Sequence, residues 1–146
     1  MNKRGIVKAD RKRHGSGHFF KEHIEKPGIL SKIPRKYSRY GISPDLFEEH
    51  LKSIPKPDVI LVTSIMTYWY LGVFHSIRLL KNYYPDVPLI LGGIYATLCQ
   101  EHASDNAGAD FYISGEGEVS VVKMVSELTG QSLSYLPDLN DLDSFP

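Results

Sequence analysis

Apolar runs alternate with amphipathic segments along the chain from Ile42 onward, and this alternation predicts a sheet with helices packed on it. The apolar runs consist mainly of Val, Ile, Leu, Phe and Tyr, as expected of strands buried on both faces. The predicted strands are 59–63, 87–91 and 110–114. Segments with apolar residues at helical spacing predict helices over about 44–53, 73–84 and 118–129, and the segment 94–106 is predicted as an irregular helix. The alternation predicts the α/β class, with an open parallel sheet in three layers, Rossmann-like or flavodoxin-like.

The N-terminal side of this pattern lacks a convincing first strand. Such a sheet normally begins with a strand, yet the best run before the first helix is Gly5-Ile6-Val7. The first strand is therefore either weak or lacking. A sheet of only three strands exposes edges and apolar faces, so we expect the domain to pack on a partner or to form a homo-oligomer through the exposed sheet edge.

Charge divides the chain into a basic part and an acidic part, although the net charge is zero. Residues 1–40 carry twelve basic and three acidic side chains, and Gly and Pro interrupt them without any apolar period. We predict a basic, loop-rich arm over 1–40, an α/β domain over 41–131 and an acidic linker over 132–146 toward a further C-terminal domain. We expect no nucleic-acid partner, because the arm has no nucleic-acid fold signature.

Composition excludes several classes of protein. The single cysteine, Cys99, excludes an internal disulfide and any cluster held by about four thiolates of this chain. No apolar run approaches the roughly 20 residues needed to span a bilayer, and the N-terminus lacks a hydrophobic signal core. We therefore expect a cytoplasmic protein that is not held in a membrane.

The predicted strands end in residues suited to ligand binding. Open parallel sheets bind ligands outside the carboxyl ends of their strands. Thr63-Ser64, Gly92-Gly93 and Ser114-Gly115-Glu116-Gly117 stand at these three ends. Capping hydroxyls and tight turns explain the same residues without a ligand, and helix-dipole effects explain Glu116. The Gly-rich phosphate loop, the GxGxxG fingerprint and the GxSxG elbow are all absent from the sequence.

The order of these segments resembles the cobalamin-binding domain at the N-terminus of many radical SAM proteins. The likeness rests on Ser64-Ile65-Met66, on Leu91-Gly92-Gly93-Ile94-Tyr95-Ala96 and on Gly115-Glu116-Gly117-Glu118, and it covers roughly residues 19–146. The resemblance implies that the nucleotide tail of cobalamin lies in a cleft at the carboxyl ends of the strands. The cofactor-binding residues it implies are Thr63, Ser64, Met66, Gly92, Gly93, Tyr95, Gly115, Glu116 and Gly117.

Two family motifs are incomplete or missing. The family's DxHxxG motif supplies a His that ligates cobalt. Here Asp10 precedes His14 by four residues instead of two, so we treat the match as a coincidence and keep His14 only as the alternative ligand. The CxxxCxxC motif for a [4Fe–4S] cluster is absent. The resemblance therefore implies that the cluster and S-adenosylmethionine belong to a radical SAM barrel outside this sequence, and that this chain has no catalytic residue.

Two other functions remain open at this stage. The fold could persist without a ligand as a structural domain on a radical SAM barrel, presenting Tyr68, Trp69 and Tyr70 to it. Alternatively, a flavodoxin-like domain could bind a flavin or another nucleotide at the same strand ends. Aromatic residues of this kind are more often packing residues than a ligand cage.

Overall fold

The computed structural model describes residues 13–14 and 19–131, which fall in two compact units, Met1–Ser53 and Ile54–Pro146. The weak run Gly5-Ile6-Val7, the best candidate for a first strand, and the predicted acidic linker lie outside the described residues. The division into an arm, an α/β domain and a linker stays a prediction.

The described residues of the first unit form a small antiparallel pair of strands and one α-helix. Strand β1 (Lys21–His23) pairs with β2 (Ser38–Tyr40), with Glu22 opposite Arg39. Arg39 donates to the Glu22 carboxylate across this pair, and a 3₁₀ turn (Gly28–Leu30) lies between the strands. The sequence did not predict these strands, because three residues are too short to show an apolar period.

Helix α1 (Pro44–Ser53) begins where the sequence predicted it. The hydroxyl of Ser43 accepts a hydrogen bond of 3.3 Å from the amide of Leu46, which is the N-cap geometry. Pro44 occupies the first helical position, where its missing amide proton has no helical partner to lose.

The second unit is built on a parallel sheet of three strands in the order β3–β4–β5, with β3 at Ile60–Thr63, β4 at Leu89–Gly92 and β5 at Phe111–Tyr112. Ile60 is in register with Leu89, and Ile90 with Phe111. The α/β class with a parallel sheet is confirmed. Strand β5 is shorter than predicted, although the amides of Asp110 and Ile113 continue its hydrogen bonding to β4.

The helices between the strands lie on one face of this sheet. Helix α2 (Tyr70–Tyr83), preceded by a 3₁₀ turn (Thr67–Trp69), joins β3 to β4. The predicted helix over 94–106 is broken into α3 (Ile94–Leu98) and α4 (Gln100–Asn106), because Cys99 leaves the helical conformation with φ −125° and ψ 46°. Aromatic contacts join α2 to both α3 and α4, so the three helices share a layer.

Helix α5 (Glu118–Thr129) forms the third layer and ends before Gly130, as predicted. Ile60 of β3 is buried, whereas its neighbour Leu61 points to the opposite face and is 56% exposed. Leu61 and Val125 of α5 line a groove of about 370 Å³ on that face. Because α5 has no fully buried residue, this face of the sheet is only partly covered.

The core of the second unit lies around β4 and under α2. All three apolar residues of β4 are buried, as expected for a central strand. The buried hydrophobic residues of this unit are Ile60, Val73, Ile77, Leu80, Tyr84, Val87, Leu89, Ile90, Leu91, Tyr95, Ala96, Ala103, Ala107 and Ile113.

An ion pair fastens the amino-terminal edge of the sheet. Lys81 of α2 lies 2.7 Å from the carboxylate of Asp110, and the same carboxylate accepts a hydrogen bond of 2.8 Å from the amide of Leu89. Asp110 therefore joins α2 to β4 at the point where β5 begins. Among the described residues, no helix is both long and apolar enough to cross a membrane.

Candidate functional site

The carboxyl ends of β3, β4 and β5 lie at one edge of the sheet because the three strands are parallel. The last residues of the strands and the segments that follow them contain all the predicted site residues except His14. We call this region the carboxyl edge and define it as residues 63–69, 92–98 and 113–117.

Ser64 joins the ends of β3 and β4 through its backbone. Its amide donates to the carbonyl of Gly92 at 3.3 Å, and its carbonyl accepts from the amide of Tyr95 at 3.3 Å. The residue is only 3% exposed. Its hydroxyl donates to the carbonyl of Met66 at 2.9 Å, so a ligand nitrogen would have to replace that carbonyl as acceptor.

Gly93 is required by the close approach of β3 to β4. A Cβ atom at this position would lie 2.5 Å from Oγ1 of Thr63 and 2.8 Å from the carbonyl oxygen of Ser64. Its φ of +88° is also one that other residues rarely adopt. The space above Gly93 is therefore occupied by the chain itself, whereas a Cβ at Gly92 would meet nothing closer than 3.8 Å.

Thr97 connects the loop after β4 to the loop after β5, and the sequence did not single it out as a site residue. Its hydroxyl donates to the carbonyl of Gly93 at 3.0 Å and accepts from the amide of Gly115 at 2.9 Å. Gly115 itself has φ +84°, and a Cβ atom there would meet no other atom within 4 Å, so the loop leaves open space. The spacing of four residues indicates only the bond to the Gly93 carbonyl, and no local pattern indicates the bond to Gly115.

Tyr95 lies in the core below the carboxyl edge and is 1% exposed. Its hydroxyl shares a hydrogen bond of 2.7 Å with Nδ1 of His102, and the two rings contact Tyr70 and Phe74. Burial, assisted by the neighbouring Cys99 and Tyr70, raises the pKa of Tyr95 above its usual value of 10.0. This side chain therefore packs as an uncharged core residue, and its predicted contact with a cofactor stays a prediction.

Apolar side chains are exposed on the loops of the carboxyl edge. We call them the apolar rim, and its members are Ile65, Met66, Tyr68, Trp69, Ile94 and Leu98. Leu98 is 71% exposed and Tyr68 is 69% exposed. No Asp, Glu, Lys or Arg occurs between Asp58 and Arg78, or between Asp86 and Glu101. The rim is therefore both apolar and free of formal charge.

The remaining predicted residues lie at the margin of this edge or elsewhere. Glu116 is exposed, and the carbonyl of Gly117 accepts from the amide of Val121 at 2.7 Å, which begins α5. His14 is an exposed turn residue of the first unit, and its role as a cobalt ligand stays a prediction. Among the described residues, no three His, Cys, Asp or Glu side chains form a metal-ligand cluster.

The parallel sheet and its helices define an α/β domain of the Rossmann-like class, a class that binds ligands outside the carboxyl ends of its strands. The model of the B12 binding domain family matches residues 36–125, which is more than half of the chain. The chain belongs to the B12 binding domain family.

A curated relative also matches. It is a cytidylyl-2-hydroxyethylphosphonate methyltransferase from Streptomyces wedmorensis, 27% identical over 95 residues. The match covers 65% of this chain but 18% of the relative, so the chain spans less than a fifth of that protein's length. No solved structure matches the chain.

The carboxyl edge fits a cobalamin in its general chemistry. Cobalamin presents a broad macrocycle fringed with neutral amides and a nucleotide tail with one phosphate. An uncharged rim with exposed Met66 and Ile94 suits the apolar surface of such a ligand, and hydrogen-bonding groups of the loops suit its amides. Open space at Gly115 admits close approach, whereas the filled space at Gly93 does not.

Proposed function

We propose that this chain is the cobalamin-binding module of a radical SAM protein and that it holds the nucleotide tail of the corrinoid at the carboxyl edge. Membership of the B12 binding domain family supports the ligand. The residues that would form the site are those predicted from the sequence, with Gly93 setting the approach of β3 to β4 and Tyr95 packing beneath: Thr63, Ser64, Met66, Gly92, Gly93, Tyr95, Gly115, Glu116 and Gly117. Bound cobalamin would supply a cobalt centre able to carry a methyl group, in keeping with the methyltransferase activity that the relative's name states.

The uncharged apolar rim is the observation that carries this proposal. A flavin mononucleotide carries a doubly charged terminal phosphate and a dinucleotide carries a diphosphate, whereas the tail of cobalamin contains a phosphodiester with a single charge. A binding loop must neutralise the first two with cations or with several backbone amides. The loops after β3 and β4 contain no Lys or Arg. A large ligand with mostly neutral surface therefore fits this edge better than a phosphate-rich one, which favours the corrinoid over the flavodoxin-like alternative.

The proposal also includes a partner of this chain, a radical SAM barrel domain. Cys99 alone cannot hold a [4Fe–4S] cluster, so the cluster and S-adenosylmethionine would be bound by a barrel domain of the same longer chain or of a separate subunit. The aligned region is 18% of the methyltransferase relative, so most of that relative lies outside the match. We assign no catalytic residue to this chain.

The experiment is a titration of the purified chain with hydroxocobalamin and methylcobalamin. The visible spectrum of the ligand reports binding directly, and a ligand well above its dissociation constant also raises the melting temperature. Trp69 is the sole tryptophan and lies in the apolar rim, half exposed, so its fluorescence should be quenched by a bound corrinoid. A well-folded chain that gives no change up to about millimolar ligand would overturn the proposal.

A matched pair of variants locates the binding site. Met66→Lys places a charge in the rim. Bound cobalamin would bury this charge without a partner, which is strongly unfavourable, so the variant should weaken cobalamin binding by about tenfold or more. Leu61→Lys places the same charge on the partly covered face of the sheet, away from the carboxyl edge, where Leu61 is 56% exposed. The Leu61→Lys variant should bind cobalamin as tightly as the unchanged chain does. Equal effects of both variants would mean that the ligand is not at the carboxyl edge.

The partly covered face supports the second candidate function, a domain that packs on another polypeptide without binding a ligand. Leu61 is exposed beside the groove, and β3 has no strand neighbour on its outer side among the described residues. A stable complex with a radical SAM barrel, together with a flat cobalamin titration, would favour this function. If the chain instead self-associates in sedimentation and Leu61→Lys abolishes this, the result would favour a homo-oligomer formed through the exposed edge at β3.

A further inference from the structure

One series of hydrogen bonds crosses the carboxyl edge from β3 to the loop after β5. Ser64 is bonded through its backbone to Gly92 and Tyr95, and its hydroxyl reaches Met66. The hydroxyl of Thr97 then joins the carbonyl of Gly93 to the amide of Gly115. The loops after all three strands are thus connected, and the last connection depends on one side chain.

We infer that Thr97 is a positioning residue, whose hydroxyl holds the loop at Gly115 in register with the loop at Gly93 for cobalamin binding. This inference rests on the proposed function. Strand pairing extends only as far as Ile113, whose amide donates to the carbonyl of Leu91 at 2.9 Å. Beyond Ile113, the bond from Gly115 to Thr97 ties the exposed loop to the rest of the edge.

The bond needs a group that donates and accepts at the same time. Thr97 gives its hydroxyl proton to the carbonyl of Gly93, four residues earlier, and its oxygen lone pairs remain for the amide of Gly115. A valine side chain has nearly the same shape, but it can neither donate nor accept a hydrogen bond. Without the hydroxyl, the amide of Gly115 would turn to water, and the ligand would have to order the loop when it binds, which lowers affinity.

The chain contains a close control for this geometry. Thr129 also donates to a carbonyl four residues earlier, that of Val125 at 2.8 Å, and accepts from a backbone amide, that of Gln131 at 3.4 Å. Both bonds of Thr129 stay at the end of α5, whereas those of Thr97 join two loops of the carboxyl edge. Thr129→Val therefore removes the same pair of bonds without touching the site.

The experiment compares Thr97→Val, Thr97→Ser and Thr129→Val in the full chain. Hydroxocobalamin affinity is measured from the visible spectrum, and the exchange rate of the Gly115 amide proton is measured by NMR without ligand. We expect Thr97→Val to weaken binding by about three- to tenfold and to speed exchange at Gly115, because one hydrogen bond of typical strength is lost. Thr97→Ser should restore both values, and Thr129→Val should leave both unchanged.

The outcomes separate this inference from the proposed function. If the unchanged chain does not respond to hydroxocobalamin, the proposed function is overturned and the binding role of Thr97 with it. If the unchanged chain binds and Thr97→Val binds equally well, only the role of Thr97 is overturned. A lower melting temperature with unaltered affinity in the folded protein would likewise reduce Thr97 to a structural residue.

Discussion

Gly93 and Thr63 approach so closely that a Cβ atom on Gly93 would lie 2.5 Å from the Thr63 hydroxyl. The sequence predicted Gly93 as a cofactor-binding residue, and the structure places the end of the neighbouring strand where a side chain at Gly93 would lie. This glycine allows β3 and β4 to meet at the carboxyl edge. Gly93 therefore contributes to the stability of the folded sheet.

Substitution of Gly93 should therefore destabilise the fold. We expect Gly93→Ala to lower the free energy of unfolding by about 2–4 kcal/mol, because steric overlap adds to the strain of a φ of +88°. Gly92→Ala is the control, since its Cβ would make only an ordinary contact at 3.8 Å, and it should lower the free energy of unfolding by less than about 1 kcal/mol. Urea denaturation measures both, and similar values for the two variants would contradict this interpretation.

Ser64→Ala tests whether the buried hydroxyl acts on the loop alone. Loss of its bond to the carbonyl of Met66 should lower the free energy of unfolding by about 1 kcal/mol. If Ser64 also contacts the corrinoid, cobalamin affinity should fall in the same variant while it remains folded. Reduced stability with unaltered affinity would remove Ser64 from the binding residues. A larger residue such as Leu is unsuitable here, because Ser64 is only 3% exposed.

Asp110 should stabilise the sheet mainly through the amide of Leu89. Asp110→Ala leaves that amide without its acceptor and should lower the free energy of unfolding by about 1–3 kcal/mol. Asp110→Asn keeps an acceptor oxygen and should lower it less. Lys81→Met removes the partly exposed ion pair together with two long hydrogen bonds from the ammonium to the carbonyls of Pro85 and Val87, at 3.5 and 3.4 Å, and should have an effect below about 1 kcal/mol. A Lys81→Met effect as large as that of Asp110→Ala would show that the ion pair dominates.

Tyr95 should make stability fall at alkaline pH. Its pKa is raised in the folded state by burial, so the unfolded chain loses this proton first as the pH passes about 10. The free energy of unfolding should decline from there until the pH reaches the higher pKa of the folded state. In Tyr95→Phe this part of the decline should vanish, although the lost bond to His102 reduces stability by about 1 kcal/mol at neutral pH. Urea denaturation from about pH 8 to about pH 11 checks both effects. If the free energy of unfolding of the unchanged chain and of Tyr95→Phe declined in parallel with pH, Tyr95 would not be the cause of the decline.

The sequence predicted those parts of the fold that depend on neighbouring residues. Ser43 and Pro44 gave the start of α1, and Gly130 gave the end of α5, because capping is decided within one turn. The three parallel strands lie where the apolar runs placed them, although β5 is shorter than its run. The parallel α/β class followed from the alternation of helices and strands.

Features that depend on contacts between distant segments were not predictable from local patterns. Gly93 is constrained by Thr63, which lies thirty positions earlier, and Thr97 is bonded to Gly115, eighteen positions later. The break at Cys99 divides a segment that was predicted as one irregular helix over 94–106. In each case the decisive neighbour is brought close only by the folded sheet.

The strands β3, β4 and β5 occur in space in the same order as in the chain, and this has a consequence for folding. Paired residues are only 29 positions apart between β3 and β4 and 21 positions apart between β4 and β5. Each pairing therefore closes a loop of modest length, and no strand must be inserted between two that have already met. Because folding rate rises as contacting residues become closer in sequence, we expect the sheet to grow strand by strand without a slow rearrangement step.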